Sequence, residues 1–177
     1  VKSLTKNKKI VQIIILSLVI IIGAFTIANS LFSEHATPQV GDKAPKFKLL
    51  GLDGQVHQLS DYAGKTVVIN FWGTYCPPCK AEMPAIQKQY EQWQKSDVVI
   101  LAVNMGESPI TVHGFIDPLK TTFPVLLDEN FEIRKNYGVI QYPTTFFVKP
   151  NGRIAKINVG GMDESFIQQS LSAMLGK

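Results

Sequence analysis

The chain has 177 residues, 45 % of them hydrophobic, and a formal charge of +4. That length gives room for one ordinary domain with a buried core and little else. The positive balance comes from Lys2, Lys6, Lys8 and Lys9, since from Thr37 onward 14 basic side chains face 13 acidic ones. A nearly neutral body without a basic stripe argues against nucleic acid as a partner.

Residues 1–9 form a basic tail. Ile10 to Ala28 follows as 19 residues without a charge, interrupted only by the polar Gln12, Ser17 and Thr26. As a helix it spans roughly 28 Å at ~1.5 Å per residue, close to the ~30 Å hydrocarbon core of a bilayer. Four lysines before it place the N-terminus on the cytoplasmic side and everything after it outside. The segment is therefore expected to be a single transmembrane anchor of a cell-membrane protein. A cleaved signal peptide is the competing reading, with Thr26-Ile27-Ala28 as a small-x-small site, although signal h-regions run only ~7–15 residues. Residues 29–40 mix Ser, Glu, His, Thr and Pro without periodicity and read as a tether, leaving 41–177 as the folded domain.

That domain opens with a short strand, Phe47–Leu50. Asp53-Gly54 marks a hairpin turn to the alternating stretch Gln55–Leu59, and the loop 60–65 feeds the apolar run Thr66–Phe71. An amphipathic helix is expected from Lys80 to about Gln94, kinked at Pro84. Val98–Val103 is a second buried run, so strand, helix and strand make a βαβ unit and an α/β fold. Met105 to Lys120 is less regular, with Pro109 suited to a helix's first turn and Gly114 and Pro118 weakening its interior. Pro124–Leu127 is a short strand, and Glu129–Tyr137 a short helix stopped by Gly138. Tyr142–Val148 and Arg153–Val159 pair as a hairpin around Asn151-Gly152. Asp163 caps a last helix in which Phe166, Ile167, Leu171, Met174 and Leu175 repeat at helical spacing.

The only two cysteines, Cys76 and Cys79, stand between the first buried run and its helix. Unpaired N–H groups and the positive end of the helix dipole favour a thiolate there, the attacking form in disulfide exchange. Cys76 is the candidate nucleophile, and Cys79, one helical turn on, can resolve a mixed disulfide. A half zinc site would need about two more ligands, but His35, His57 and His113 are scattered and no second C-x-x-C exists. A haem-attachment site needs His after the second cysteine, where Lys80 stands. A purely structural disulfide would enclose too few residues to constrain the unfolded chain much. Redox exchange is the favoured reading, and it requires no cofactor and no metal.

Trp72-Gly73-Thr74-Tyr75-Cys76-Pro77-Pro78-Cys79-Lys80 resembles the active-site motif of thioredoxin-fold proteins, in particular the membrane-anchored TlpA/ResA-like reductases. The approach Gly41-Asp42-Lys43-Ala44-Pro45-Lys46-Phe47, followed by Leu59-Ser60-Asp61-Tyr62-Ala63-Gly64-Lys65, is shared in outline by these proteins and by peroxiredoxins. The resemblance covers about Gly41 to Leu175. It implies a thioredoxin fold with an N-terminal β-hairpin and an inserted helical segment at 105–120, preceded in this chain by the one transmembrane helix expected at 10–28.

Thioredoxins carry a buried Asp six residues before the first cysteine; here Asn70 stands there and cannot accept a proton. The family glutamate near the dithiol corresponds to Glu82, three residues past Cys79 and on nearly the same helical face. Partly buried, it would have a raised pKa and serve as a base for Cys79. Pro143 matches the family's cis-proline, which makes Tyr142 the residue whose backbone pairs with a bound substrate. Trp72 and Tyr75 flank the dithiol and could supply an apolar contact surface, a core role being equally open to Trp72. Many ResA-like reductases have Glu at the first position between the cysteines, where this chain has Pro77.

The resemblance implies an extracytoplasmic thiol–disulfide oxidoreductase that reduces protein disulfides, such as that of an apocytochrome c haem-attachment motif. Its electrons would come from a membrane thiol transporter of the CcdA/DsbD type. Oxidase or isomerase activity shares the same site. A peroxiredoxin would require Pro at position 69 and Thr at position 73 for its P-x-x-x-T-x-x-C motif, where Ile69 and Gly73 stand. A metal-binding chaperone of the Sco type uses C-x-x-x-C, one residue longer than the spacing here.

Overall fold

The computed structural model describes residues 2–32 and 37–176, with side chains described at 11–27 and 37–176. The chain divides into two compact units between Ala36 and Thr37. The first is a single helix, α1 (Lys2–Phe32). Its described apolar side chains, among them Ile13, Leu16, Ile21 and Phe25, are exposed. The hydroxyls of Ser17 and Thr26 donate to carbonyls one turn back, those of Ile14 and Gly23, each at 2.9 Å, which hides their polarity inside the helix. Among the described residues no helix is long and apolar enough to cross a membrane. The expected span 10–28 extends to Ile10 and Ala28, whose side chains lie outside the described residues, as do positions 33–36 of the expected tether.

The second unit is built on a seven-stranded sheet. Its strands are β1 (Lys48–Gly51), β2 (Val56–Gln58), β3 (Thr66–Trp72), β4 (Val98–Met105), β5 (Val125–Asp128), β6 (Thr144–Val148) and β7 (Ile154–Val159), in the spatial order β2-β1-β5-β4-β3-β6-β7. β3 lies inside the sheet, between β4 and β6, and is buried at all seven positions, which is why its sequence is a continuous apolar run rather than an alternating one. It pairs parallel to β4 and antiparallel to β6. The expected hairpin of β1 and β2 forms with Leu49 opposite His57. It attaches antiparallel to β5, with Leu50 opposite Leu127.

Alternate β3 side chains leave opposite faces of the sheet. On one face Val68 and Trp72 join Ile86, Val112, Phe147 and Leu171, under α2 (Pro77–Trp93), α3 (Pro109–Ile116) and α5 (Glu164–Leu175). On the other, Ile69 and Phe71 join Leu101, Leu126, Tyr137 and Phe146, with Ile133 of α4 (Glu132–Asn136) packed among them.

Two helix starts differ from the sequence reading. Helix α2 begins at Pro77 rather than Lys80, because prolines at the first helical positions have no N–H to leave unpaired. It runs on through Pro84 as one element. Helix α4 begins at Glu132 rather than Glu129, since Phe131 adopts a left-handed conformation at its start (φ 60°). The region 105–120 does form an extra helical segment, α3 followed by a 3₁₀ turn at Asp117–Leu119.

Phe71 anchors the second face, edge-on to Phe146 at 5.8 Å and tilted against Tyr137 at 5.2 Å. Phe71→Ala is expected to lower unfolding free energy by about 3–5 kcal/mol, read as a shift in the midpoint of chemical denaturation.

Candidate active site

Strand β3 ends at Trp72, and after four intervening residues the chain enters α2 at Pro77. Cys76 is the N-cap of that helix: its Sγ accepts a hydrogen bond from the Cys79 amide at 3.3 Å. Cys76 and Cys79 are joined by a disulfide with their Cα atoms 5.3 Å apart. Cys76 keeps 7 % of its surface exposed and Cys79 none. An incoming partner can thus reach the first sulfur and not the second, as the assignment of nucleophile and resolving thiol requires.

Glu82 lies one turn beyond Cys79 on α2 and is 2 % exposed. Asn70 Nδ2 donates to Glu82 Oε1 at 2.8 Å, and the Met162 amide donates to Oε2 at 3.0 Å. The same Asn70 nitrogen donates to Thr145 Oγ1 at 2.9 Å. One carboxylate therefore has partners from β3 and from the loop before α5. Burial raises its pKa to about 7, outweighing the two hydrogen bonds that favour the anion. Asn70, which cannot take a proton itself, holds the group that can.

The Tyr142–Pro143 peptide bond is cis, as the family resemblance implied. Phe71 pairs with Thr144 across β3 and β6, which brings this bond to the same end of the sheet as the disulfide. Tyr142 is half-buried and meets the ring of Tyr75 edge-on at 6.2 Å. Tyr75 is 57 % exposed. Trp72 needs correction: expected as a contact surface, it is fully buried and packs against Phe115 of α3 at 5.6 Å. Side chains alternate along β3, so Trp72 falls on the face that α3 covers, and Tyr75 takes the exposed role.

One residue gave no signal in the sequence. Glu107, just past β4, accepts from the Thr74 amide at 2.7 Å, from the Thr74 hydroxyl, and from Asn104 Nδ2 at 2.8 Å. It ties the loop carrying Cys76 to the end of β4. Of the histidines, His57 contacts Asp53 and Tyr62 and His113 contacts Asp117, while His35 lies outside the described residues. Among the described residues no three His, Cys, Asp or Glu side chains converge as metal ligands do.

Two outcomes follow. Glu82 has a folded pKa above its ordinary value of 4.5, so the folded state binds more protons than the unfolded one between about pH 4.5 and 7. Stability should fall as pH rises through that window, by on the order of 3 kcal/mol. Glu82→Gln should abolish this slope, as measured by denaturant unfolding at pH 5 and pH 8. Glu107→Ala leaves the Thr74 amide without its acceptor and should cost about 1–3 kcal/mol in the same assay.

A model of the AhpC/TSA family matches residues 40–157. The thiol-disulfide oxidoreductase ResA of Geobacillus thermodenitrificans is 39 % identical over 169 residues, covering 96 % of this chain and 97 % of its own. ResA of Bacillus subtilis is 40 % identical over 159 residues, with coverage of 90 % and 88 %. The crystal structure of StoA from Bacillus subtilis superposes with a TM-score of 0.64 at 29 % identity, covering 71 % of this chain and 96 % of that one. With a C-x-x-C disulfide at a helix start and a cis-proline at the same sheet end, the chain is an enzyme of thioredoxin-like fold that belongs to the ResA thiol-disulfide oxidoreductases within the AhpC/TSA family.

Proposed function

We propose that this oxidoreductase works as a reductase of protein disulfides outside the cytoplasm, held to the membrane by residues 10–28. The observation that carries the direction of proton flow is Glu82, buried one turn beyond the resolving cysteine with a pKa near 7. In the reduced enzyme the Cys76 thiolate attacks one sulfur of the substrate disulfide. That S–S bond breaks, the second substrate sulfur leaves as a thiolate, and a mixed disulfide remains on Cys76. Cys79 passes its proton to Glu82, and its thiolate attacks Cys76 Sγ. The enzyme disulfide forms and the remaining substrate sulfur leaves. Two electrons have moved from the Cys76–Cys79 dithiol to the substrate.

The oxidised enzyme then needs a dithiol donor. A membrane thiol transporter of the CcdA/DsbD type fits a catalytic domain on the outer side, which the lysines preceding residues 10–28 support. The apocytochrome c haem-attachment motif fits as substrate, because its two cysteines must be reduced before haem ligation. Tyr142 and Pro143 would align the bound segment, with Tyr75 as the exposed apolar surface beside it.

Cys79→Ala removes the resolving step and should accumulate substrates on Cys76 as mixed disulfides, identifiable by mass spectrometry. Apocytochrome c among them supports the reading; a spread of unrelated secreted proteins would favour an oxidase or isomerase. Glu82→Gln should slow release of the mixed disulfide at neutral pH by on the order of 10²-fold, read by stopped-flow with a model disulfide. Efficient turnover of peroxide by the wild-type chain would overturn the reading in favour of the peroxidase branch of the family.

A further inference from the structure

Next to the cis-proline loop is an open cleft of about 510 Å³, whose lining includes Phe131, Arg134, Lys135 and Ile140 and no acidic side chain. Its apolar walls are accessible: Phe131 is 39 % and Ile140 83 % exposed. Glu129 and Glu132, from the same stretch of chain, line a different cleft together with Lys46 and Lys48. The cleft beside Tyr142 thus presents two cations and two apolar surfaces.

Arg134 is held firmly there. Its amide donates to Asp128 Oδ2 at 2.8 Å and its Nε to the Val139 carbonyl at 3.0 Å. Its guanidinium lies 5.6 Å over the Phe131 ring and 5.5 Å over the Tyr142 ring, the stacked arrangement in which arginine keeps its charge and its outward donors. Phe131 is fixed in turn: its ring sits where a Cβ on Gly106 would be, 2.1 Å from the nearest ring carbon. The terminal guanidinium nitrogens have no hydrogen-bond partner among the described residues. A guanidinium fixed in place with free donors is prepared for a planar carboxylate.

We propose that this cleft receives an acidic side chain of the substrate protein, close in sequence to the disulfide being exchanged, and that Arg134 is the residue that selects for it. The proposal rests on the reading that the enzyme acts on protein disulfides. Continuity supports that occupant: Tyr142 touches Tyr75, adjacent to Cys76, on one side and the Arg134 guanidinium on the other. These steps are 6.2 Å and 5.5 Å, so about four residues of an extended segment rising about 3.3 Å per residue span from the Tyr75 ring, next in sequence to Cys76, to the Arg134 guanidinium. Charge complementarity supplies the rest, and a contact at the rim of a site acts chiefly on the rate of encounter.

The test uses the full-length chain in its reduced form and oxidised peptides that differ only in Glu, Gln or Lys two to four residues from the disulfide. At low ionic strength the Glu peptide should be reduced about fivefold faster than the Gln peptide, and the Lys peptide more slowly than either. Arg134→Gln should bring the Glu-to-Gln ratio close to one, and Arg134→Lys should restore part of it. Equal rates for the Glu and Gln peptides with the wild-type chain, or an unchanged ratio in Arg134→Gln, would overturn the proposal. If Arg134→Gln does not fold, the wild-type ratio at about 0.5 M salt decides: screening must shrink it, and its persistence counts against Arg134. Reduction of hydroxyethyl disulfide, small and uncharged, separates a failure of this proposal from a failure of disulfide exchange itself.

Discussion

A carboxylate in the core is the constraint to which the site answers. Glu82 is almost fully buried, and a charge in such a place is tolerated only with partners or with a proton. The fold supplies the partners from separate places, an amide side chain on β3 and a main-chain N–H ahead of α5. Those hydrogen bonds bind the helix carrying the dithiol to β3 and to the last loop. They leave the group close to half-protonated at neutral pH, where it can accept a proton and return it at little cost. Neither a surface glutamate nor an apolar residue at position 82 would do both.

The division of labour between the sulfurs follows from where α2 begins. Pro77 and Pro78 set the first turn directly after Cys76, so Cys76 caps the helix and Cys79 turns inward. The loop that delivers Cys76 is fastened at Thr74 by Glu107. The exposed Tyr75 is therefore carried on a fixed backbone.

Much of this was legible in the residues because its causes are local. A continuous apolar run followed by C-x-x-C and prolines describes a buried strand leading into a helix. Asp53-Gly54 and Asn151-Gly152 announce their hairpins. The pairing of Asn70 with Glu82 was half-visible, since each position is fixed relative to the cysteines by strand or helix geometry. The Met162 amide was not, because only the folding of α5 against α2 brings it near. Glu107 and Arg134 escaped for the same reason. Thr74 and Glu107 are separated by 33 positions, and Arg134 looks like any charged residue in a short helix until Phe131 and Tyr142 close around it. Trp72 stayed open between contact surface and core because motif proximity says nothing about which face of a strand a ring occupies.

The ends of the sheet bear on how the molecule behaves among its own copies. A bare edge strand offers unpaired N–H and C=O groups to any passing chain and is the usual starting point for aggregation. Here the edge of β5 is occupied by β1, and the outermost strand on that side, β2, has only three residues. At the opposite end β6 and β7 shift register between Phe147 and Val148, an irregularity that spoils the flat template another strand would need. With one edge short and the other irregular, a chain that reaches the dithiol finds no flat strand beside which to add itself to the sheet.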